Sequence, residues 1–212
     1  MAPLRLDSVV PTRTALIVVD MQYDFIGPDE GSGSSDGRKM LPRLIELIEF
    51  CRAVGIKVIY TKHVHRADGS DAGIFARLWP RIAEKAALVE GTEGVEIVDE
   101  IRPLPGEPVI EKHRYSAFFG TDLEILLRCS CIDTVAISGV TTENCCESTA
   151  RDAVFRDFSL IFLSDCTATH DYPDVGFGPM TADEIHRAQL TVIGTSFGHV
   201  MTSSEFKTIT CR

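Results

Sequence analysis

Three side chains in this 212-residue chain could together open a carbonyl compound: Asp20, Lys112 and Cys145. Cys145 lies in Gly139-Val140-Thr141-Thr142-Glu143-Asn144-Cys145-Cys146. Before that stretch comes an apolar, β-branched run, Thr134 to Ile137. After it, Cys146, Thr149, Ala150, Ala153 and Val154 recur at three- and four-residue spacings, which predicts a helix starting near 142–144. Cys145 would then sit in the first helical turn. Free N–H groups and the positive end of the helix dipole favour an anion there. A thiol so placed loses its proton more readily, and the thiolate is the nucleophile. The same N–H groups could hold the oxyanion formed when a carbonyl is attacked. As packing alone, Cys145 and Cys146 would be two small buried hydrophobes.

The other two reagents stand at predicted strand ends. Thr14 to Val19 reads as a strand buried on both faces, followed by Asp20. Pro108 to Glu111 reads as a third strand, followed by Lys112. Ligands bind beyond the carboxyl ends of strands in open parallel sheets. A nucleophile, an acid–base and a cation gathered there make a coherent machine for acyl transfer. Taken singly, Asp20 could be a turn or cap residue and Lys112 a surface lysine.

The elements around them alternate. A loop rich in Gly, Ser and Pro spans 27–38 and lacks the spacing of a phosphate loop. A helix from about Lys39 to Val54 carries the stripe Leu41, Leu44, Ile45, Ile48 and Cys51 and stops at Gly55. Ile56 to Thr61 is the second strand. Residues 66–92 read as irregular, and 95–101 as a short helix. Thr121-Asp122-Leu123-Glu124 reads as a capping box opening a helix to about Arg128. Phe158 to Ser164 is the fifth strand. Thr181-Ala182-Asp183-Glu184 is a second capping box, whose helix shows Ile185, Ala188 and Val192 on one face and ends at Gly194. Phe197 to Met201 would be the last strand. Strand–helix alternation of this kind predicts one α/β domain over residues 1–212, a parallel sheet with helices on both faces.

Composition excludes several classes. The net charge of −10 comes with no basic cluster, so nucleic acid and anionic membranes are poor partners. No run of 18 apolar residues is present, so no membrane span is expected. The N-terminus lacks the apolar core of a secretory signal, so the expected place is the cytoplasm. Seven unpatterned cysteines in that setting read as reduced thiols. His63-Val64-His65, with Asp68 and Asp71 nearby, invites a metal, but no well-spaced third ligand follows, and the two histidines read as polar loop residues.

The motifs resemble those of the isochorismatase-like cysteine hydrolases. They are Ile17-Val18-Val19-Asp20-Met21-Gln22-Tyr23-Asp24-Phe25, then Lys112-His113-Arg114-Tyr115-Ser116-Ala117-Phe118, then Gly139 through Ala153, in the family's order. The resemblance implies a three-layer α/β/α, Rossmann-like fold with a six-stranded parallel sheet. It also implies a catalytic triad of Asp20, Lys112 and Cys145. It implies a cis peptide between Val140 and Thr141, and an oxyanion site from the Thr141 and Cys145 N–H groups. Phe25, Trp79, Tyr115 and Phe118 become candidates for the substrate wall, with core packing as their plain alternative. The family's ether-cleaving members lack this cysteine, so the resemblance points to amide chemistry, closest to ureidoacrylate amidohydrolases, with nicotinamidases next. Nicotinamidases carry an Asp-x-His metal motif where this chain has His63 and His65, so no metal and no cofactor are expected. A dimer or tetramer acting on a small amide is expected. Two other classes stay open: a non-catalytic binding protein on this fold, and a redox protein using the adjacent Cys145 and Cys146.

Overall fold

The computed structural model describes residues 6–27 and 35–210. Most of the loop at 27–38 therefore lies outside the described residues. Six strands form one all-parallel sheet in the order β3-β2-β1-β4-β5-β6. They are β1 Thr14–Val19, β2 Lys57–His63, β3 Val109–Lys112, β4 Thr134–Val140, β5 Ser159–Ala168 and β6 His199–Met201. Every residue of β1 is buried, as a central strand covered on both faces must be.

The sheet's alternation sorts the core into two layers. Leu16 and Val18 face Leu44, Leu47 and Ile48 of the helix Ser35–Val54, together with Phe206 of the helix Ser203–Thr210. Ala15, Ile17 and Val19 face the helices Leu123–Cys129, Glu147–Val154 and Ala182–Ser196. Burying each Leu or Ile in these layers contributes roughly 1.5–3 kcal/mol. This is the six-stranded, three-layer architecture expected from the motifs.

Several details differ from the sequence reading. The capping box at Thr121 does not form: Asp122 is the N-cap and has no side-chain cap bond. The Thr121 hydroxyl instead donates to Ala117 O at 2.5 Å and accepts from the Leu123 N–H. The box at Thr181 does form, with both reciprocal bonds to Glu184. Its helix runs past Gly194 to Ser196. Gly194 is a packing glycine, because a Cβ there would meet Val200 at 3.2 Å. The buried face of that helix is Ala182, Ile185 and Ile193, while Ala188 and Val192 are exposed. The segment 66–92 contains two single helical turns, Phe75–Leu78 and Pro80–Ala83. Residues 93–101 hold two 3₁₀ turns, Glu93–Val95 and Asp99–Ile101, rather than one helix.

The strand order reverses between β1 and β4, which opens a crevice at their carboxyl ends. Gly139 makes that junction possible. Its φ is +110°, and a Cβ on it would lie 2.0 Å from Val19 O. Only glycine lets β4 pass that close to the end of β1.

Candidate active site

Asp20, Lys112 and Cys145 meet at this crevice, each delivered by a different strand. Asp20 follows β1 with φ +48°, a left-handed backbone that turns it off the strand. Thr61 of β2 fixes it twice: the threonine hydroxyl accepts the Asp20 N–H at 3.1 Å and donates to Asp20 Oδ1 at 2.5 Å. Lys112 closes β3, with Nζ 2.6 Å from Asp20 Oδ2, 3.3 Å from Cys145 Sγ and 3.1 Å from Arg114 O. All three side chains are buried.

The helix begins where the sequence placed it, with Cys145 in its first turn, but that turn is wider than expected. Thr142–Cys146 is a π-helical turn that runs into the α-helix Glu147–Val154. Wide turns of this kind often mark functional sites. The Thr149 hydroxyl donates to Cys145 O at 2.6 Å and accepts the Ala117 N–H, tying the cysteine turn to the loop after β3. The Val140–Thr141 peptide is cis, as the resemblance implied. Cys146 is fully buried, with its sulfur directed at Ser138 O.

The electrostatics correct one expectation. Burial pushes the Cys145 thiol up, and the Lys112 ammonium offsets this only in part. Burial thus opposes the pull that the helix start and Lys112 exert toward the thiolate. Burial alone would lower Lys112, but Asp20 and Cys145 more than compensate, and its pKa is raised. The lysine stays charged.

A cavity of about 320 Å³ opens over Cys145. Phe25, Trp79 and Tyr115 line it as expected, and the Trp79 indole N–H donates to the Tyr115 hydroxyl at 2.9 Å. Phe118 does not line it. It is buried against Phe158, with its ring stacked under Arg156, because the exit loop of β3 turns it away from the crevice.

Sequence reasoning missed other wall residues: Phe75, Leu88, His63, Asn144 and His170. His63 is the most informative. It ends β2 in register with Lys112 of β3 and is buried, so it is no polar loop residue. That register was the signal that could have found it. Asn144 is held by the Tyr172 hydroxyl at 2.9 Å, which itself donates to Glu143 at 2.6 Å.

Among the described residues, two groups offer three potential metal ligands each, with their donor atoms within 4.8 Å of one another. The first is Asp20, His63 and Cys145. There the Lys112 ammonium already provides the cation. The second is His65, Asp71 and His113. His113 Nδ1 is 2.6 Å from Val64 O, and a carbonyl only accepts, so that nitrogen carries its proton and is lost as a donor.

A buried cysteine flanked by an ammonium and a carboxylate, at the carboxyl edge of a parallel sheet, defines a cysteine hydrolase. Comparison with known proteins agrees. The Isochorismatase domain matches residues 14–205, and the chain belongs to that family. It is 32% identical to the ureidoacrylate amidohydrolase RutB of Caulobacter segnis, over 94% of this chain and 86% of that one. It is 35% identical to a probable inactive nicotinamidase of Arabidopsis thaliana, over 74% of this chain and 81% of that one. The solved structure of a cysteine hydrolase from Pseudomonas syringae pv. phaseolicola superposes with a TM-score of 0.93 at 36% identity, covering 98% of this chain and 96% of that one. Among the described residues, no helix is long and apolar enough to cross a membrane.

Proposed function

We propose that this protein is an amidohydrolase that cleaves a C–N bond of a small amide, ureido or carbamoyl compound through a thioester on Cys145. One observation carries the reading: Lys112 Nζ touches both Asp20 Oδ2 and Cys145 Sγ, and Cys145 lines the cavity. Asp20 takes the thiol proton as the sulfur attacks the carbonyl carbon, so a resting thiol, not a thiolate, is the expected ground state. Lys112 balances the negative charge that moves from carboxylate to sulfur. The N–H groups of Thr141 and Cys145 receive the oxyanion. Asp20 then gives the proton to the departing nitrogen. Water hydrolyses the thioester and restores the thiol.

The walls describe the substrate's body. Phe25, Phe75, Trp79 and Tyr115 make an aromatic enclosure around the cavity. Such walls favour a flat or apolar substrate of modest size. The aromatic enclosure also supports a second reading, an amidase for an aromatic amide such as nicotinamide.

Ammonia release from a panel of ureido acids, N-carbamoyl compounds, nicotinamide and aliphatic amides tests both readings, with Cys145→Ala as the blank. Cysteine-dependent release from a ureido or carbamoyl compound supports the first. Nicotinamide as the best substrate installs the second. No cysteine-dependent release from any of them overturns the amidohydrolase reading.

A further inference from the structure

His63 is buried, and no group of the protein satisfies its Nε2. An unpaired polar atom in a dry site is a cost that stable folds avoid unless a ligand or water completes it. The ring lines the cavity beside Thr141 and Cys145. One of its nitrogens lies within 4.8 Å of both a carboxylate oxygen of Asp20 and the Cys145 sulfur.

The ring is also held in place. Gln22 clamps the His63 backbone from both sides, accepting its N–H at 2.8 Å and donating to its carbonyl at 3.1 Å. Phe75, His65 and Tyr115 pack around the imidazole with ring centroids 5.7, 5.1 and 6.5 Å away. Burial and the nearby Lys112 charge, with smaller pushes from His65, His113 and Arg114, lower its pKa well below the ordinary value. It is a neutral imidazole at neutral pH. Such a ring keeps one lone pair for accepting a hydrogen bond.

We propose that His63 holds the water that hydrolyses the thioester. Two acceptors up to 4.8 Å apart are bridged by a single water oxygen about 2.8 Å from each. One O–H of that water points at Asp20 and the other at the imidazole. The oxygen is thereby aimed at the carbon bound to Cys145. The water oxygen bonds to the thioester carbon, and Asp20 takes its proton. The C–S bond breaks, and the sulfur recovers that proton from Asp20 as a thiol. His63 accepts a hydrogen bond throughout and stays neutral. The role rests on the thioester reading above, and it assigns His63 to the second half of the reaction.

4-Nitrophenyl acetate separates the two halves, because its nitrophenolate burst reports acylation of Cys145 and its steady rate reports hydrolysis of the acetyl-enzyme. In His63→Leu the burst should persist while the steady rate falls by about 100-fold, as expected for losing the aim of a reactant. An adduct of one acetyl group should then accumulate, visible by intact-protein mass, and hydroxylamine should discharge it. His63→Gln, which restores an acceptor at similar reach, should recover much of the steady rate. An unchanged steady rate in His63→Leu overturns the role. So does a proportional loss of burst and steady rate that His63→Gln does not repair, which is the signature of packing. Wild-type nitrophenolate release that survives Cys145→Ala undiminished fails the cysteine nucleophile itself and this role with it.

Discussion

Lys112 Nζ and Asp20 Oδ2 are 2.6 Å apart, and both side chains are completely buried. The pair is the electrostatic centre of the site. Neither charge reaches bulk solvent, so each depends on the other.

Lys112→Met should therefore destabilise the protein by roughly 3–5 kcal/mol, because it strands the Asp20 carboxylate in a dry site. It should also abolish turnover. The double variant Asp20→Ala/Lys112→Met should recover much of the stability and none of the activity. Urea unfolding of the two variants beside the wild type tests this; a double variant no more stable than Lys112→Met would refute the pairing account.

The two adjacent cysteines should separate cleanly. Cys145→Ala should remove all turnover above background and leave the fold intact. Cys146→Ala deletes a sulfur packed against β4 and should cost about 1–2 kcal/mol with kcat within a few-fold of wild type. Steady-state kinetics beside thermal melts distinguish them, and equal loss of activity in both would argue for a redox pair instead.

Thr61 is an unadvertised support of the site. Its hydroxyl bonds both the backbone and the carboxylate of Asp20. Thr61→Val should lower kcat by about 10- to 100-fold, and Thr61→Ser should restore most of it. Equal activity in Val and Ser variants would show that the side chain only fills space.

The upward push of burial on the Cys145 thiol has a kinetic signature. The thiol is held above the ordinary cysteine value by burial, so the thiolate fraction is small at neutral pH and grows with pH. Alkylation of Cys145 by iodoacetamide should climb about tenfold per unit between roughly pH 7 and 9 without levelling off. A plateau below pH 7 would mean a preformed thiolate, with Lys112 winning over burial.

Gly139→Ala should prevent folding or lower stability beyond the usual cost of a point change. The added Cβ falls 2.0 Å from the backbone oxygen of Val19, and the φ of +110° is itself hostile to alanine. A soluble, fully active Gly139→Ala protein would contradict the close approach of β1 and β4.

The sequence disclosed the reagents better than the surroundings, for a physical reason. Asp20, Lys112 and Cys145 are marked by strong local signals: an apolar run, a charged residue at its end, a glycine break. The sheet and its two helical layers follow from the same alternation. Thr61 and His63 carry no such mark, because their importance comes from register across the sheet, with His63 paired to Lys112 49 residues away in sequence. The box at Thr121 failed because the Ala117 carbonyl, brought close by the loop after β3, accepts the hydroxyl's hydrogen bond. Ala188 and Val192 misled because the face of a helix depends on what it packs against, and Ile193 is the residue that meets β5 and β6. The turn around Cys145 is wider than helix propensity predicts, and it is tied locally by the Thr149 hydroxyl to Cys145 O and by the Cys146 sulfur to Ser138 O.

The reagents and part of the wall have separate origins. Asp20, Lys112 and Cys145 grow from the rigid sheet, whereas Phe75, Trp79, Ile82 and Leu88 come from the 66–92 segment beside it. One side of the pocket can thus vary apart from the reagents, as in a tool with one jaw that can be changed without rebuilding the handle, while Phe25, Tyr115 and Asn144 make the jaw that stays with the sheet. Grafting that segment from a relative should exchange the preferred amide while the machinery beneath it is left untouched.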